Sequence, residues 1–104
     1  MKSHYFLKLI PCRPTFAHDM TDAERAIMGQ HIAYWKPFLE SGEVVVFGPV
    51  MDPAGPYGIG IVAAESEAAI RAFIANDPAS QINTYEFYPM RAVLPPPSSP
   101  SSNS

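Results

Sequence analysis

Residues 43–64 read EVVVFGPVMDPAGPYGIGIVAA, and they decide the fold. Glu43–Phe47 is a run of valines closed by an aromatic, the composition of a buried strand, and it is expected to end at Gly48-Pro49. The prolines and glycines of VMDPAGPYG make a turn region, and a further strand follows over 57–64. Two strands therefore follow one another in the middle of the chain.

Upstream lies TDAERAIMGQHIAYWKPFLE, residues 21–40. Thr21 and Glu24 form a capping box, in which each side chain meets the other's backbone N–H. At about 100° per residue, Ile27, Met28, His31, Tyr34, Trp35 and Phe38 fall on one arc with Glu24, while Arg25, Gly29 and Lys36 face away. The helix should run to about Glu40 and stop at Ser41-Gly42, with Pro37 kinking or shortening its last turn. Before it, residues 4–10 (HYFLKLI) suit a strand, and 11–20 read as a loop punctuated by Pro11 and Pro14.

Downstream, Ser66 caps a second helix, EAAIRAFIA, with Ile70, Phe73 and Ile74 as its apolar stripe. Asn76 is expected to end it in the left-handed conformation, and Asp77-Pro78 to start a short extra turn. Residues 84–93 supply a last strand, with Pro89 favouring an edge or a bulge. The order is β-α-β-β-α-β, an α+β ferredoxin-like pattern with both helices on one face of a four-stranded antiparallel sheet. The other face should be polar, yet VVVF and GIGIVAA place apolar residues on both alternations, so a homodimer joined through the sheet face is expected.

The 104 residues make one domain, residues 1–94, followed by a Pro/Ser-rich tail over 95–104 expected to be disordered. Hydrophobic residues are 47% and charged ones only 16%, which also favours a subunit contact. Seven Lys+Arg against ten Asp+Glu, with no basic run, disfavour a nucleic-acid partner. The lone cysteine, Cys12, rules out an internal disulfide framework. No signal peptide or membrane span is legible, so the expected location is the cytoplasm, with no membrane partner.

His31 is the residue closest to a reactive centre. An imidazole among aromatics is either a satisfied core histidine or a general acid–base group. Its candidate partner is Asp77, brought near if both helices share a sheet face. A carboxylate on one ring nitrogen fixes the tautomer and frees the other nitrogen to move a proton. Asp77 is equally suited to capping the turn that follows it. Arg13 is a candidate for holding an anionic or phenolate group, against its reading as a surface ion pair. Phe16, Tyr34, Trp35, Phe38 and Tyr57 are candidates for lining a pocket for a flat small molecule, against their reading as core. His4, His18 and His31 match no metal-ligand spacing, so no metal is expected. Gly55, Gly58 and Gly60 give G-x-x-G-x-G, the wrong order for a dinucleotide fingerprint, so no organic cofactor is expected either.

The segments GQHIAYW, FGPV, NDPAS and YEFYPM, in this order and spacing, resemble the YCII-related (YciI-like) family over residues 4–93. The resemblance implies a ferredoxin-like fold of the dimeric α/β-barrel group, assembly as dimers, and a histidine–aspartate pair that maps onto His31 and Asp77. It also implies cofactor-independent acid–base chemistry, such as dehydrochlorination or isomerisation of a small aromatic molecule. The alternative is a non-catalytic dimeric module that binds a small molecule or a partner. The 11–20 loop and the tail distinguish this chain from shorter members, and the loop is expected to shape the pocket mouth.

Overall fold

The structure, a computed structural model, describes residues 2–96. Most of the expected tail, residues 97–104, lies outside the described residues. The elements are strand β1 (Ser3–Ile10), a short helix α1 (Phe16–Asp19), helix α2 (Asp22–Ser41), strands β2 (Val44–Val50) and β3 (Tyr57–Ala64), helix α3 (Glu67–Ala75), a 3₁₀ turn (Pro78–Gln81) and strand β4 (Thr84–Met90). The sheet order is β2-β3-β1-β4, antiparallel throughout. This is the ferredoxin-like α+β arrangement.

Alternation along β1 sorts the sheet's two faces. Tyr5, Leu7 and Leu9 are buried beneath the helices, and their partners in register are Val62, Gly60 and Gly58 on β3 and Pro89, Phe87 and Tyr85 on β4. A bulge between Val44 and Val46 lets both Val44 and Phe47 join the core, although they are three residues apart. Gly60 is where α2 meets the sheet most closely. A Cβ there would overlap Cζ3 and Cη2 of Trp35, so the indole lies against the sheet only because residue 60 has no side chain.

The capping box at Thr21 and Glu24 is formed, and α2 is closed by Gly42, whose φ of 88° needs glycine. Helix α2 keeps Pro37 inside it and ends at Ser41-Gly42 as expected, with its last turn not cut short. Several boundaries differ from expectation. Strand β2 continues through Gly48 and Pro49 to Val50, because an edge strand can spare the proline's missing donor while still pairing with β3. Strand β4 ends at Met90, and Pro89 does sit on an edge strand. Asn76 stays right-handed (φ −88°), since the chain bends directly into the next turn through the Asp77 N–H to Ile74 O bond. The 11–20 segment contains α1, held by backbone bonds to Thr15 and Arg13. No helix among the described residues is long and apolar enough to cross a membrane.

Candidate active site

Asp77 lies between α3 and the 3₁₀ turn, where Pro78 at the first position of the turn makes it the N-cap. Its side chain accepts from Ala79 N at 2.9 Å, which fixes the carboxylate's orientation. From there it reaches α2. His31 Nδ1 lies 3.0 Å from Oδ1 and 2.8 Å from Oδ2, and Trp35 Nε1 donates to Oδ2 at 2.6 Å. Tyr85 on β4 completes the set, its hydroxyl donating to Oδ2 at 2.5 Å. His31 and Trp35 are spaced i, i+4, so one face of α2 delivers both donors to one carboxylate.

Asp77 is 1% exposed. Burial by itself raises a carboxyl's pKa, but the hydrogen bonds from His31, Tyr85, Trp35 and Ala79 outweigh it and hold Asp77 below its ordinary value. The carboxylate is therefore ionised and accepts only, so His31 Nδ1 carries the proton it shares with Asp77. Burial, and then the hydrogen bond to Asp77, push the Tyr85 phenol well above its ordinary value, so it remains a neutral donor.

The second ring nitrogen, Nε2, has no hydrogen-bond partner among the described residues, and no buried side-chain nitrogen or oxygen lacks one. His31 lines a cavity of about 390 Å³. The wall is almost wholly apolar. Met28, Ile32 and Trp35 come from α2, Phe47 and Pro49 from β2, Tyr57 and Ile59 from β3, and Phe16, Ala17 and Met20 from the 11–20 segment. Phe47 stands edge-on to the imidazole at 6.5 Å between centroids, and Trp35 lies 5.7 Å away. A volume of this size suits a single small ring.

Of the residues singled out from sequence, His31, Phe16, Trp35 and Tyr57 line this cavity, and Asp77 stands buried behind His31. Arg13, Tyr34 and Phe38 do not line it. The Arg13 guanidinium is spent on Glu24, with 2.9 and 2.8 Å bonds to its two carboxylate oxygens, and on Asp19 at 2.8 Å, so it braces the 11–20 segment instead of facing a ligand. The Arg13 hydrogen bond, followed by the Thr21 N–H, draws the Glu24 carboxyl down to about 2. Tyr34 donates to Phe73 O at 2.8 Å, and Phe38 packs on the Phe73 ring, because that edge of α2 faces α3. Among the cavity residues not picked out from the sequence are two polar ones, Tyr85 and Asn83. Tyr85 was legible from the alternation of β4, which sets it on the helix-facing side beside Phe87. Asn83, buried at the end of the 3₁₀ turn, carried no local signal. Among the described residues no three His, Cys, Asp or Glu side chains cluster as metal ligands.

The fold and site thus define a ferredoxin-like α+β domain with a histidine–carboxylate pair set against an apolar cavity. The chain belongs to the YCII-related domain family, whose model matches residues 5–93. Among solved structures it is similar to the 5-chloro-2-hydroxyhydroquinone dehydrochlorinase TftG from Burkholderia phenoliruptrix, in complex with 2,5-dihydroxybenzoquinone. The TM-score is 0.61 at 20% identity, covering 84% of this chain and 93% of that one. More distant likenesses are the NE2512 protein of unknown function from Nitrosomonas europaea (TM-score 0.48, 13% identity, 94% and 98% covered) and the cofactor-independent oxygenase SnoaB from Streptomyces nogalater (TM-score 0.47, 13% identity, 93% and 98% covered). Curated proteins give no match to the sequence.

Proposed function

We propose that this protein is a cofactor-independent enzyme that moves protons on a small aromatic molecule, with His31 Nε2 as the proton-transferring atom and Asp77 as its orienting partner. The observation that carries this is the asymmetry of His31. One nitrogen is locked on a fully buried carboxylate with three further donors, and the other is left to a cavity with apolar walls. The Asp77 anion stabilises the ring when Nε2 takes up a proton, the role of the carboxylate in a catalytic triad. Phe16, Trp35 and Tyr57 position the substrate by apolar contact.

The likeness to TftG supports dehydrochlorination as one form of this chemistry. Nε2 takes a hydroxyl proton from the keto form of a chlorinated ring, the freed electron pair moves into the ring, and chloride leaves with its bonding pair. The sum is loss of HCl, with no electron acceptor needed. Returning the proton to a ring carbon instead gives an isomerisation. The test is chloride release from chlorinated hydroxyhydroquinones by wild type and by His31→Gln, with the fold checked by circular dichroism. The variant should lose on the order of 10²–10⁴-fold in rate, and a folded variant with undiminished rate would overturn the assignment.

The same proposal includes a homodimer through the open sheet face. Phe6 pairs there with Ile61 and Tyr88, and Val46 with Ile61; Val46 and Tyr88 are 49% and 55% exposed, an apolar surface that a second sheet would cover. Ile61→Lys should convert a dimer into a monomer in light scattering, and a wild type that is already monomeric would refute the contact. The free, exposed Cys12 suits a reducing compartment, in keeping with the cytoplasm.

A further inference from the structure

We infer that Asn83 is a substrate-binding residue that donates a hydrogen bond to a neutral oxygen substituent on the substrate ring. This rests on the cavity beside His31 being the binding site. Asn83 is 8% exposed and lines that cavity. The Cys12 backbone N–H donates to Asn83 Oδ1 at 3.1 Å, and since a backbone N–H cannot accept, this contact fixes which end of the carboxamide is oxygen. Among the described residues the NH₂ end has as its hydrogen-bond partner the thioether of Met28, a cavity-lining side chain, at 3.6 Å, a weak acceptor. A buried amide donor with so poor a partner is costly unless a ligand supplies an oxygen.

Its place relative to His31 gives the contact a purpose. Met28 and His31 are i, i+3 on α2, so the amide sits about one helical turn from the imidazole. Among the described residues the guanidinium beside this contact, Arg13, is neutralised by Glu24 and Asp19, so it is not free to hold a carboxylate or phosphate group. A phenolic, enolic or keto oxygen on the ring fits both facts. As His31 removes a proton, negative charge develops on that oxygen and the amide N–H stabilises it.

Phenol and toluene, nearly equal in shape, read the contact directly. Wild type should bind phenol about tenfold more tightly than toluene, and phenol should shift the Asn83 side-chain ¹⁵N and ¹H resonances. Asn83→Leu should abolish the preference while leaving toluene affinity unchanged. Asn83→Asp, which keeps an acceptor for the Cys12 N–H but loses the donor, should abolish it too and serves if the leucine variant does not fold. His31→Gln should retain a preference for phenol, which separates loss of this contact from loss of the proton-transfer role. Equal binding of phenol and toluene by wild type, or a preference that survives in Asn83→Asp, would overturn the inference.

Discussion

The Trp35 indole N–H donates to Asp77 Oδ2 across 2.6 Å, the same oxygen that lies 2.8 Å from His31 Nδ1. Trp35 is 1% exposed and packs edge-on against Phe73 at 4.9 Å, so the carboxylate is held by a residue that cannot move without opening the core. Asp77 is therefore placed by the fold and not by His31 alone.

Removing the Asp77 carboxylate should harm both stability and chemistry. Asp77→Ala leaves the Trp35, Tyr85 and His31 donors buried and unpaired, and should cost about 3–5 kcal/mol in urea denaturation. Asp77→Asn keeps the volume but supplies an amide that can face Nδ1 with its own N–H. That forces the other tautomer, and turnover should fall by about 10³–10⁴-fold.

The packing of Trp35 on Gly60 gives an independent test of the scaffold. Gly60→Ala places a methyl on the indole, which has no slack, and should cost about 1–3 kcal/mol. Combining it with Trp35→Phe should cost less than the sum of the two single changes, as a double-mutant cycle would show.

Acid should unfold the protein through Asp77. Its folded pKa is depressed below the unfolded value of about 3.9. The stabilisation is therefore fully present above about pH 4 and is lost as pH falls through the lower folded value. Glu24, drawn down to about 2, adds a contribution of the same sign as pH falls. Urea midpoints measured from pH 6 to pH 2 should fall with acid for wild type, and fall less steeply for Asp77→Asn.

Arg13 should matter to the cavity without touching its contents. It ties Asp19 to Glu24 and lies over the Phe16 ring at 5.3 Å, so it holds the segment that forms one cavity wall. Arg13→Ala should speed amide hydrogen exchange in residues 11–20 by about tenfold while leaving exchange in β1 and β3 unchanged.

Much of this was legible in the sequence because it is local. The capping box, the serine cap of α3, the Asp77-Pro78 turn and the 57–64 strand depend on neighbours within a few residues, and the structure reproduces each. The topology allowed His31 and Asp77 to approach one another, and the family resemblance pointed to the same pair. Of the two readings open for Arg13 the structure shows the ion pair, but its partners, six and eleven residues away, could not be named from the sequence because they meet it only once α1 folds back on α2. Tyr34 and Phe38 share the apolar arc with His31, but the arc is wide enough for α3 to cover one edge and the cavity the other. Asn83 was invisible because its significance lies in contacts with Cys12 and Met28, 71 and 55 residues distant.

An ionised Asp77 should fix the His31 proton on Nδ1 and leave Nε2 free to meet a ligand in the cavity. Long-range ¹H–¹⁵N correlation spectroscopy of the histidine rings tests it most directly. The expected result is a His31 ring that carries a proton at Nδ1, with an Nε2 resonance that moves when phenol is added. A His31 protonated at Nε2, with ring nitrogens indifferent to phenol, would contradict it.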